Sequence, residues 1–226
     1  MLTWSHPAND RPRRFYQRRF ARIAPNHVVT WVMALGVLAV EGRAITASTT
    51  LPSLALVQAW VPDGSIHFGA NGVAWSLACE AFFYALFPLI LQRALRISAR
   101  RRRAIMVGAV IAILLLAAGS RILLSGSARL WFPYVFPPAR LPEFFLGVLL
   151  ALEVSDGRWP HVPMLPAVVC AVAAYAVAGW VNEPFRWISV TVVPFVVLIG
   201  SAAQADLKGR PSLFRARGLV VLGVWS

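Results

Sequence analysis

The stretch Leu141-Pro142-Glu143-Phe144-Phe145-Leu146-Gly147-Val148-Leu149-Leu150-Ala151-Leu152 decides the topology. It is apolar but short, and it carries Glu143, so length alone does not say whether it crosses a membrane. Its neighbours are easier to read. Uncharged runs of roughly 17–25 residues span a ~30 Å hydrocarbon core as helix. Ile23–Val40, Ala104–Ser120, Val162–Asn182 and Trp187–Ala205 are such runs, and Val73–Leu91 is another, broken only by Glu80.

Charge placement then settles the short stretch. Sixteen of the 22 Lys and Arg residues lie in three clusters, Arg11–Arg22, Arg93–Arg103 and Lys208–Arg217, each abutting an apolar run. Basic loops stay in the cytoplasm. With the first cluster inside, two spans bring the second cluster inside. Four more spans do the same for the third only if Leu141–Leu152 crosses. By the same parity Leu51–Val61, short and Pro-bounded, must not cross; it reads as an outer, interfacial or re-entrant segment. The expected fold is all-α, a polytopic transmembrane helical bundle in the cytoplasmic membrane. It has a cytoplasmic N-terminus, six complete spans, and a seventh begun at Gly218 and cut at Ser226, so truncation is expected at the C-terminal end.

Composition agrees. The chain is 58% hydrophobic and 14% charged, where a soluble domain is nearer a quarter charged. Its net charge of +13 is absorbed by membrane-edge clusters. No aromatic-interleaved basic loop for stacking bases appears, so nucleic acid is not an expected partner. Cys79 and Cys170 fall inside apolar runs, where packing is the default role; neither a disulfide framework nor a metal site is expected. Arg18-Arg19-Phe20 before an apolar run also fits a twin-arginine signal, but five more apolar runs follow and no small-residue cleavage site stands out.

Three stretches, the start of the opening one among them, carry a resemblance. Phe15-Tyr16-Gln17-Arg18-Arg19-Phe20-Ala21-Arg22-Ile23-Ala24-Pro25, Trp75-Ser76-Leu77-Ala78-Cys79-Glu80-Ala81-Phe82-Phe83-Tyr84 and Arg140-Leu141-Pro142-Glu143-Phe144-Phe145-Leu146-Gly147 occur in the order found in the membrane-bound acyltransferase family 3. Gln58-Ala59-Trp60 and Leu222-Gly223-Val224-Trp225-Ser226 fit weaker patterns. The chain resembles that family over residues 1–226, read as a single domain. The resemblance implies a ten-span bacterial enzyme, of which this chain would hold spans three to eight. Such enzymes move an acyl group, usually acetyl, from acyl-CoA to a hydroxyl of a sugar, a polysaccharide or a small molecule. The implied partners are the lipid bilayer, the acyl-CoA donor (a substrate, with no bound cofactor) and the hydroxyl acceptor. The family's first span carries a histidine base behind a basic residue. His6, His27, His67 and His161 do not fit that pattern, and His27, at the start of a span, reads as a wet interfacial ring.

The candidate site residues follow. Ser76 and Glu80 lie four apart on one helical face, which Tyr84 continues. A carboxylate two turns inside a span should face the bundle interior with a partner. Glu80 and Ser76 are the catalytic candidates, Glu80 orienting a histidine or accepting a proton itself. The alternative is a buried glutamate bonded to Ser76 and Tyr84 purely to lock packing. Arg140 and Glu143 stand at an outer span start, to converge with Glu80 on substrate or to anchor a short helix. Arg19 and Arg22, an R-x-x-R pair on the inner side, suit the phosphates of coenzyme A, or serve as membrane anchors. Arg100–Arg103 reads mostly as anchoring, with contacts to anionic lipid. A transporter is the other class considered; matched halves, its usual mark, are not seen.

Overall fold

The computed structural model describes residues 12–209, and every element in it is helical. Helix α1 (Pro12–Val40) is followed by α2 (Ala47–Leu54), a 3₁₀ turn at Gln58–Trp60 and α3 (Gly64–His67). Then come α4 (Trp75–Leu95), α5 (Ala99–Leu123), α6 (Ala128–Leu130), α7 (Leu141–Ser155), α8 (Met164–Ala178), α9 (Phe185–Ile188) and α10 (Val192–Leu207).

Among the described residues four helices are long and apolar enough to cross a bilayer: Pro12–Val40, Trp75–Leu95, Ala99–Leu123 and Phe185–Leu207. A fifth span is counted if Ala128–Val135 and Pro137–Ser155, bent by 53°, form one broken crossing. Pro137 and Pro138 account for that bend, because neither donates a backbone hydrogen bond. The expected six complete spans are therefore not reached. The shortfall lies at 162–182, where only the 15 residues of α8 are helical. They rise about 22 Å, less than a hydrocarbon core. The run beginning at Gly218 and most of the Lys208–Arg217 cluster lie outside the described residues.

The Leu51–Val61 stretch does not cross. After Val40 the chain turns back, so that Trp31 Nε1 donates to Thr50 O (3.1 Å) beside α1. Gln58 and Ala59 are fully buried, and the Trp131 indole donates to Ala59 O at 3.0 Å. Gly69 makes the return possible, since a Cβ there would lie 2.8 Å from Thr49 O.

The main core gathers Phe15, Phe87, Leu91, Met106, Leu146 and Leu149 from α1, α4, α5 and α7. Helix α7 is the axis of the bundle, with Leu146 and Val148–Leu150 nearly inaccessible. Cys79 is buried as expected for a packing role, but Cys170 is exposed on α8.

Candidate active site

Helices α1, α4, α7 and the α9–α10 pair surround one cavity of about 1160 Å³. Arg19, Arg22, Ser76, Glu80, Tyr84, Arg140 and Glu143 all line it. These residues come from three helices separated by more than a hundred positions, so only packing brings them together.

The Glu80 face is built locally. Spacing by four on α4 stacks Tyr84 one turn from Glu80, and the Tyr84 hydroxyl donates to Glu80 Oε1. Ser76 does not complete this arrangement. Its hydroxyl donates to Val73 O at 2.9 Å, the carbonyl that also accepts the Ser76 backbone N–H at 3.3 Å, a local side-chain to backbone bond typical of serine in a first helical turn. Ser76 borders the cavity without being bonded to Glu80.

Arg19 corrects a second expectation. Its guanidinium carbon lies 5.4 Å from the Tyr84 ring centroid and 5.5 Å from that of Phe15. The R-x-x-R pair is therefore not set apart from Glu80 by half the membrane. Helix α1 has 29 residues, about 43 Å of rise, and packs alongside α4, so that Arg19 reaches the middle of α4 at Tyr84. Arg22, a turn further on, is exposed along the cavity wall.

At the head of α7, Arg140 Nη2 and Glu143 Oε2 pair at 2.7 Å, with side chains 21% and 24% exposed. Arg140 also stands 5.5 Å over the Tyr134 ring. The cavity thus presents guanidinium groups suited to phosphate or carboxylate, beside a carboxylate held by a tyrosine hydroxyl. Such a set can bind an anion and take part in proton transfer.

Two features differ from their reading in the sequence. His27 is not a wet interfacial ring: it is 4% exposed and lines the cavity. Its Nε2 faces Ser53 O at 3.1 Å and Leu54 O at 3.2 Å. Both partners accept, so Nε2 carries a proton. The signal was there in the Arg19, Ile23, His27 spacing, which places His27 on the same face of α1. The second feature is ionic. Arg102, read as a lipid anchor, is buried and bonds Asp156 Oδ2 at 2.6 Å and faces Glu153 Oε1 at 3.6 Å. Arg103 reaches Glu153 Oε2 at 3.4 Å. This cluster ties the start of α5 to the end of α7, opposite the Arg140–Glu143 end.

A helical membrane bundle with this polar chamber at its centre has a place among known proteins. The chain belongs to acyltransferase family 3, whose model, an acyltransferase domain, matches residues 2–223. Among curated proteins it is similar to the acyltransferase MdmB of Streptomyces mycarofaciens, 33% identical over 241 residues. That alignment takes in the whole of this chain and 62% of the relative, so the chain spans less than two thirds of the relative's length. No solved structure matches it.

Proposed function

We propose that this protein takes part in membrane-embedded O-acyl transfer, moving an acetyl group from acetyl-CoA to a hydroxyl of a sugar, polysaccharide or small molecule. In this reading residues 1–226 form one domain corresponding to spans three to eight of the family's ten. The N-terminus and the Arg100–Arg103 end face the cytoplasm of a bacterial inner membrane. The acceptor oxygen attacks the thioester carbonyl, the C–S bond breaks, and the proton from the hydroxyl ends on the coenzyme A thiol. Glu80, held by Tyr84, serves the proton transfer, while Arg19 and Arg22 meet the donor phosphates. Arg140 and Glu143 hold the acceptor, with Ser76 beside them on the wall. The observation that supports this reading is the convergence of the three motif stretches on one cavity.

Glu80→Gln tests it in the protein expressed from its complete reading frame. The amide keeps the shape and removes the charge. Turnover should fall on the order of 10²–10⁴, as for general acid–base groups, while thermal stability and acetyl-CoA binding persist. A stable, donor-binding variant with near-normal turnover would return Glu80 to a packing role.

A further inference from the structure

The polar chamber fills only part of the cavity. Below Glu143 the walls become apolar, with Gly147, Ala151 and Val154 on α7 facing the same space as Val196, Ile199 and Ala203 on α10. Each set repeats at three or four residues, so each is one continuous helical face. The trough from Glu143 to Val154 is about 16 Å long, far more than an acetyl group needs. It opens beside Gly147, where an added Cβ meets nothing within 4 Å. At its head stand three guanidinium groups, Arg19, Arg22 and Arg140, against two carboxylates, Glu80 and Glu143. A single space with a cationic head and an apolar tail complements an amphipath with an anionic head and a hydrocarbon chain.

We infer that this trough receives the hydrocarbon chain of the donor's acyl group, so that the site takes acyl-CoA chains well beyond acetyl, with Gly147 setting how far the chain enters. The inference rests on the acyl-CoA donor reading above and extends it to chain length. Small residues four apart also suit helix packing, and that occupant is the competing outcome of the test. A packed helix would leave no room for a chain, and donors of different length would then bind alike.

The protein, expressed from its complete reading frame and held in lipid nanodiscs, is titrated with coenzyme A, acetyl-CoA and octanoyl-CoA. Each methylene moved out of water is worth roughly a factor of four. With part of the chain buried, octanoyl-CoA should bind at least about tenfold tighter than acetyl-CoA. Gly147→Leu occupies open space and favours helix, so it should fold and bring the two donors to similar affinity. Gly108→Leu, exposed on α5 away from the cavity, should leave the preference in place and so controls for the added leucine itself. Equal binding of acetyl- and octanoyl-CoA by the unmodified protein overturns the trough and leaves the donor reading standing. A preference that survives Gly147→Leu also overturns it, since the chain then sits elsewhere. Failure of all three coenzyme A species to bind overturns the donor reading and the trough with it.

Discussion

Replacing Glu153 by leucine keeps the side-chain volume and removes the centre of the ionic cluster between α5 and α7. The geometry sets the size of the effect. Glu153 is 1% and Arg102 8% exposed, and deleting one partner of a buried pair outright costs about 3–5 kcal/mol. Arg102 keeps its 2.6 Å bond to Asp156, so only part of that loss applies, roughly 2 kcal/mol. The Arg103 contact to Glu153, made by a side chain 66% exposed, adds at most about 1 kcal/mol. Glu153→Leu should therefore destabilise by about 2–3 kcal/mol. Arg102→Met should cost at least as much, because it leaves Glu153 buried with only the exposed Arg103. The double variant should recover most of the loss, since a buried ion pair exchanged for apolar groups of like volume is close to neutral. Equilibrium unfolding by SDS in mixed micelles reads all four proteins of the cycle. A double variant that loses the sum of the two single losses would show that the groups act independently and would refute the argument.

Other outcomes follow from the same geometry. Gly200→Ala should destabilise by about 1–2 kcal/mol, because its Cβ would stand 2.5 Å from Cε2 of the half-buried Trp159 ring, and overpacking outweighs the helix gain. Gly108→Ala, with open space around it, should gain a few tenths to ~1 kcal/mol; SDS unfolding in mixed micelles reads both glycine variants. In a Cys79→Ser, Cys170→Ser background, an impermeant thiol reagent added outside whole cells should label Ser65→Cys and spare Arg101→Cys, both positions being exposed. The reverse pattern would invert the proposed orientation.

Much of this molecule was legible without its fold. Long uncharged runs between basic clusters mark a helical membrane protein because lipid allows few other backbone solutions. The Glu80–Tyr84 contact was equally readable, since a spacing of four fixes two side chains on one helical face. Both depend on residues within a few turns of each other. Helix length was less secure. The uncharged run at 162–182 includes Pro163, Pro166 and Gly179, and hydropathy does not register that α8 ends at Ala178.

What tertiary structure alone decided is how deep each helix sits against its neighbours. Composition says that Arg19 belongs near a membrane edge; the overlap of α1 with α4 puts it on Tyr84. Arg102 sits in an arginine run that looks like an anchor, yet the antiparallel packing of α5 and α7 brings Glu153 and Asp156 beside it. His27 looked wet until the chain turned back and set Ser53 and Leu54 over its ring. Periodicity determines which face of a helix a residue occupies, but no local pattern encodes the sliding and tilt that choose its partner on the next helix.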